Sequence, residues 1–324
     1  MPRILVPLDG SAFGEAALPL AGPIARRIGA ELELVKVYVP FPHPDVPRDL
    51  AEEVEAEIRA RDFSYLDDMS QEVRREFEVP VTTALLDGGV EAALMRHAGA
   101  HPPDLIVMST HGRSGPSRFF LGATADRLLR ELHRPMLIVR PTTAPADREP
   151  FSPKILVPLD GSPLAETVLD EVTRLFPPTV ATLHLLRVVV PVELAPMALP
   201  VPLPPTRPEI LEQQLASARS YLGATALKLR LAGWRVQQTV EVGWSPQEAI
   251  LSYAKAHGCD LIALATRGHG GLERMILGSV ADKVIRGASM PVLAVNPPAG
   301  ATSRLLAGAA SAETCDAALA GSGA

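Results

Sequence analysis

The stretch "DLIVMSTHGRSGPSRFFLGATAD" (Asp104–Asp126) decides the fold, because the chain writes it twice: "DLIALATRGHGGLERMILGSVAD" occupies Asp260–Asp282, 156 residues further on. In each copy an apolar run of strand length leads into a glycine-rich segment and then a helix-compatible stretch, opened by Gly122 or Gly278. Glycine lets backbone N–H groups approach an anion with no Cβ in the way. A helix N-terminus adds unsatisfied donors and a partial positive charge. The same segment would also serve as a tight strand-to-helix turn with no ligand, and the residues alone leave both readings open.

Other landmarks repeat in the same order. "ILVPLDGS" stands at Ile4–Ser11 and, letter for letter, at Ile155–Ser162, while "RPMLIVRP" (134–141) is answered by "MPVLAVNP" (290–297). This is a tandem duplication, with domains expected at 1–141 and 154–297. A Pro- and Thr-containing linker is expected at 142–153, and an Ala/Gly/Ser-rich tail at 298–324 is expected to fray.

Within one repeat the periodicity alternates. "RILVPL" suits a strand buried on both faces; Ala17, Ala21, Ile24 and Ile28 then recur at helical spacing, and Gly29 supplies a stop. "ELELVKVYV", a long amphipathic stripe from Leu50 to Phe77, "VPVTTALL" and a helix over 90–99 precede the quoted stretch; "PMLIVR" ends the repeat. In the second repeat Ser245-Pro246-Gln247-Glu248 reads as a capping box. Strands alternating with helices predict an α/β fold: two tandem doubly wound domains, each a five-stranded, mainly parallel sheet flanked by helices.

Composition excludes several classes. The net charge of −6 comes without a basic block, which argues against nucleic acid. The most apolar stretch, 183–205, holds Arg187, Glu193 and several prolines, so no membrane span is expected. The opening "MPRILVPLDGS" has no leader pattern, and two cysteines make no disulfide framework or metal site; a cytoplasmic protein is expected. His97 and His101 are four apart, but Gly99 and Pro102-Pro103 are expected to break the helix that would face them together.

In open α/β sheets ligands bind beyond the carboxyl ends of the strands, where strand order reverses. The candidates there are Asp9 and Asp160, in "LDGS", and the segments Ser109–Thr124 and Ala265–Ser279. Asp-Gly-Ser is also ordinary turn chemistry. Neither a Walker A sequence nor a three-glycine dinucleotide fingerprint is present.

These residues resemble the universal stress protein family in its tandem form. The resemblance rests on "ILVPLDGS", "DLIVMSTHGRSG", "DLIALATRGHGG", "LGATAD" and "LGSVAD". It implies an adenine nucleotide alpha hydrolase-like fold and a glycine-spaced ATP loop. Gly112 and Gly122 keep that loop's nine-residue gap, as do Gly268 and Gly278. Ser109 and Ala265 replace its first glycine, and Ala123, before Thr124, replaces its final hydroxyl residue; Ser279, before Val280, matches. The second site therefore ranks above the first.

By the same resemblance Asp9 and Asp160 lie beside the nucleotide, with Arg113 and His269 in the loops. Backbone at Val37 or Val188, and at Met108 or Leu264, would flank adenine. The expected function is a stress-response regulator that binds ATP or ADP, with or without magnesium, in one or both domains. A ligand-free interaction scaffold and a slow ATP hydrolase are the alternatives; no catalytic residue is assigned. Protein partners are unspecified. The fifth strands are expected to pair within the chain as a pseudo-dimer, and a homodimer of two chains is compatible with that.

Overall fold

The structure is a computed structural model that describes residues 1–40, 47–110, 121–140, 152–191, 208–266, 277–297 and 301–306. By packing, the chain forms two compact units: Met1–Phe151 with Ser289–Asn296, and Ser152–Ala288 with Pro297–Ala324.

The first unit runs β1 (Arg3–Leu8), α1 (Ala12–Glu15), α2 (Leu18–Ile28), β2 (Glu31–Tyr38), α3 (Arg48–Phe77) and β3 (Val81–Asp87). α4 (Val90–Ala100), β4 (Leu105–Ser109), α5 (Ala123–Glu131) and β5 (Met136–Val139) complete the repeat. The strand order is β3-β2-β1-β4-β5, all parallel, so it reverses between β1 and β4. β1, β4 and β5 are apolar runs buried along nearly their whole length, as strands covered on both faces must be. Gly29 ends α2 at φ +62, the left-handed conformation that glycine adopts without a Cβ penalty.

The second unit repeats the order. It runs β6 (Lys154–Pro158), α6 (Pro163–Leu175), β7 (Thr182–Val189), α7 (Pro208–Leu231) and β8 (Arg235–Val242). α8 (Pro246–Ala256), β9 (Leu261–Ala265) and α9 (Ser279–Gly287) follow. Its order is β9-β6-β7-β8, again parallel. The last strand, β10 (Val292–Val295), packs with the first unit, antiparallel to β5 with Leu293 opposite Leu137. The fifth strands thus pair, as the resemblance implied.

Four expectations need correction. Only the C-terminal half of the α3 stripe is core: Leu66 and Val73 are buried, whereas Leu50 and Val54 are exposed. Ser245 stands at the start of α8 but its hydroxyl makes no cap bond; its oxygen is buried without a partner. Gly99 does not break α4, which continues to Ala100 and stacks the His97 and His101 rings 5.4 Å apart. A single glycine costs a helix only about 1 kcal/mol, too little to end one whose Ala93, Leu94 and Ala98 are buried. His97 Nε2 lies 2.8 Å from Glu33 Oε1, and no group able to hold a metal occurs among the described residues.

The fourth concerns the tail, where residues 301–306 dock rather than fray. Asp170 on α6 accepts from Ser303 Oγ (2.8 Å) and from the amides of Arg304 (2.9 Å) and Leu305 (3.0 Å), and Lys228 Nζ donates to the Leu306 carbonyl (3.2 Å). A carboxylate gathering three donors offsets the entropy that low apolar content alone would leave unopposed. Asp170→Ala is therefore expected to speed amide exchange at Arg304 and Leu305 by about tenfold or more. Unchanged exchange would mean that Lys228 and the burial of Leu306 hold the segment without the carboxylate.

Candidate functional site

The two repeats build the same turn at the end of their first strand. Asp9 Oδ1 accepts from the Ser11 amide (3.0 Å) and hydroxyl (2.6 Å), and Ser11 Oγ accepts from the Gly14 amide (3.2 Å) to cap α1. Asp160 Oδ1 accepts from the Ser162 amide (2.9 Å) and hydroxyl (2.6 Å), and Ser162 Oγ accepts from the Ala165 amide (3.1 Å) to cap α6. Gly10 and Gly161 hold φ at +77 and +81, which the sharp exit from the strand requires. One oxygen of each aspartate is thus committed to the turn, as its Asp-Gly-Ser chemistry suggested.

The residues that flank the glycine-rich segment are bonded to each other in both repeats. Beyond β4 the Thr110 amide donates to the Val139 carbonyl (2.9 Å), and the Gly122 amide donates to the Thr110 carbonyl (3.2 Å). In the second unit the Gly278 amide donates to the Thr266 carbonyl (2.8 Å). A Cβ on Gly122 would lie 3.0 Å from the Thr110 oxygen, and one on Gly278 3.3 Å from the Thr266 oxygen. Gly122 and Gly278 start α5 and α9 without a side-chain cap, so the amides of Ala123 and Thr124, and of Ser279 and Val280, receive no capping oxygen from those residues. Ala123 and Ser279 are exposed there. Gly112, Arg113, Gly268 and His269 lie outside the described residues.

Strand adjacency brings the other predicted residues to the same edge. β1 lies between β2 and β4, so Asp9 stands between the ends that carry Val37 and Met108–Ser109; β6 between β7 and β9 sets Asp160 likewise between Val188 and Leu264–Ala265. Met108, Ser109 and Leu264 are buried, while Val37, Val188 and Ala265 are half-buried. A cavity of about 210 Å³ opens between the end of β2 and α3, lined by Lys36–Val39 and, on the helix, by Ala51, Val54, Glu55, Ile58, Arg61 and Asp62. Val37 faces it; Asp9, Met108 and Gly122 do not line it. It therefore adjoins the loop site rather than coinciding with it.

Sequence reasoning missed the polar groups behind these turns. Tyr65 on α3 donates to Glu15 (2.8 Å), and Tyr221 on α7 donates to Glu166 (2.8 Å). Burial and then the neighbouring carboxylate push both phenols well above their ordinary range, so both remain donors. Lys36 pairs with Asp62 at 3.3 Å, both side chains buried; its counterpart in the second repeat is Arg187. The signal was available: Glu15/Glu166 and Lys36/Arg187 repeat at an offset of 151, and Tyr65/Tyr221 at 156.

The model of the universal stress protein family matches twice, over residues 1–140 and 152–296. The chain belongs to the universal stress protein family. A universal stress protein of Mycolicibacterium smegmatis is 26% identical over 321 residues, covering 91% of this chain and 97% of that one. One from Methanocaldococcus jannaschii is 28% identical over 138 residues, 43% of this chain and 81% of its own. The crystal structure of a universal stress protein from Archaeoglobus fulgidus superposes with a TM-score of 0.65 at 20% identity, covering 91% of this chain and 98% of that one. That likeness bears on the fold. Membership places the chain in a stress-response family and fits the paired α/β repeats. No helix among the described residues is long and apolar enough to cross a membrane.

Proposed function

We propose that this universal stress protein is a regulator that binds ATP or ADP through the segments following β4 and β9, with the second unit the stronger site. The observation that carries this reading is the twice-built start of α5 and α9: a glycine with its amide bonded back to the residue just after the preceding strand, little room for a Cβ, and a helix N-terminus with no side-chain cap. Backbone donors arranged this way suit phosphate oxygens. Asp9 and Asp160, with the strand ends at Val37 and Met108 or Val188 and Leu264, would take the ribose and base. Ser279 adds an exposed hydroxyl in the second unit where Ala123 adds none. Binding would bias shape or partner choice, and turnover would stay below about 1 s⁻¹, the lower end of ordinary enzyme rates. The proposed setting is the cytoplasm, with domains at 1–141 and 154–297, the last strand of the second, β10, packing with the first unit.

The test is to denature freshly purified protein, separate released nucleotide by chromatography, and titrate stripped protein with ATP and ADP, with and without magnesium. About one nucleotide per chain, lost in Gly278→Val with the fold intact by circular dichroism, is the expected result. No released nucleotide and no heat at millimolar ATP would sink the reading and leave a scaffold in its place.

A further inference from the structure

Arg187 is a cation without the partner its repeat counterpart has. In the first unit Lys36 is neutralised by Asp62, which lies three residues before Tyr65 on α3. The residue three before Tyr221 on α7 is Ala218, so the second unit keeps the cation and loses the carboxylate. The equivalence of the two frames is fixed by the shared Tyr65–Glu15 and Tyr221–Glu166 bonds. Arg187 is half-buried, and its Nη1 is buried with no hydrogen-bond partner among the described residues. Its guanidinium carbon lies 5.9 Å from the centre of the Tyr221 ring, which holds the group from one side only. Glu166 is engaged by the Tyr221 hydroxyl and makes no ion pair with Arg187 among the described residues.

The guanidinium rests against the turn that follows β6. A Cβ on Gly161 would fall 2.5 Å from Nη1 and 3.5 Å from Nη2, so the guanidinium lies in contact with the turn and a side chain there would displace it. Arg187 therefore stands at the carboxyl edge of the sheet, beside Asp160 and one residue before Val188. A buried N–H of a cation with no acceptor is destabilising, and an anion entering at this edge would remove that cost for Nη1. The fork of guanidinium N–H groups matches phosphate oxygens.

We propose that Arg187 makes the second unit selective for a highly charged ligand, its guanidinium binding a phosphate of a nucleoside di- or triphosphate, while the neutralised Lys36–Asp62 pair leaves the first unit without an equivalent cation. This rests on the nucleotide reading above, but the subsite can be tested apart from it with pyrophosphate.

Full-length protein, with Arg187→Gln and Ala218→Asp variants, is titrated with ATP, AMP and pyrophosphate. Ala218→Asp places a carboxylate where Asp62 stands in the first repeat and keeps the arginine, so it separates loss of charge from loss of fold. Both variants are expected to weaken ATP at the stronger site by about tenfold, the scale of one charge-assisted contact, and AMP by less than about twofold. Unchanged ATP-to-AMP ratios in both variants would overturn the inference while nucleotide binding stood. Pyrophosphate binding lost in Arg187→Gln, in a protein that takes no ATP, would sustain the phosphate subsite and remove the nucleotide. Wild-type protein that binds neither ATP nor pyrophosphate would overturn both.

Discussion

Asp62→Ala is expected to cost the first unit about 3 kcal/mol, the low end for breaking a buried ion pair. Lys36 and Asp62 are only 8% and 6% exposed, and Lys36 Nζ sits 3.3 Å from Asp62 Oδ1. Removing the acid strands an ammonium beneath the sheet edge. Two features keep the cost from being larger: lysine has a flexible stem, and it lines the cavity through which water can reach it. The double replacement Lys36→Met with Asp62→Leu should recover most of the loss, since apolar residues of similar volume often match or exceed a buried pair. Urea unfolding of the three variants checks this. A loss below about 1 kcal/mol for Asp62→Ala would mean that the lysine reaches solvent and the pair contributes no more than a surface one.

Gly22→Ala should destabilise by about 2 kcal/mol, the scale of overpacking a filled contact. Propensity alone predicts the opposite sign, because alanine is favoured over glycine inside a helix by roughly 1 kcal/mol. Gly22 lies within α2, and a Cβ there would sit 2.2 Å from Phe77 Cγ and 2.4–2.5 Å from both ring Cδ atoms. Those are ring atoms next to the backbone of α3, not the far end of a mobile chain, so the helices must separate. Thermal unfolding of Gly22→Ala, alone and with Phe77→Ala, distinguishes the two effects. Stabilisation by the single variant would show that α3 yields at its C-terminus and that propensity wins.

The fold was legible because buried strands and amphipathic helices announce themselves by period, and because every landmark came twice. "LIVMS" and "LIALA" became β4 and β9, and Gly29 ended α2 where a left-handed residue was needed. Of the site, the turn aspartates and the glycines that open α5 and α9 could be read from residue type, since each answers a local backbone demand. Arg187, Lys36 and Asp62 could not, because their meaning lies in whether a carboxylate on one helix meets a cation on a strand 26 or 31 residues away in sequence. Ser245 and Gly99 misled for the converse reason. A capping pattern and a helix breaker are weak local preferences: α8 starts at Ser245 without its hydroxyl bond, and the buried face of α4 carries that helix past Gly99. Asp170 gave no sequence sign of holding 301–306, since the partner segment lies more than 130 residues downstream.

The antiparallel partner of β5 also sets a schedule for the chain's synthesis. Met136–Val139 leaves the ribosome long before Val292–Val295, which covers its edge. At ~5–20 residues per second, the 156 residues that separate Met136 from Val292 take roughly 8–30 s to make. Throughout that interval a four-residue apolar edge, open for hydrogen bonding, is available to any other nascent strand. The first unit is begun first but completed only when Ser289–Asn296 emerges, so a ribosome that stalls in the second repeat leaves the β5 edge uncovered.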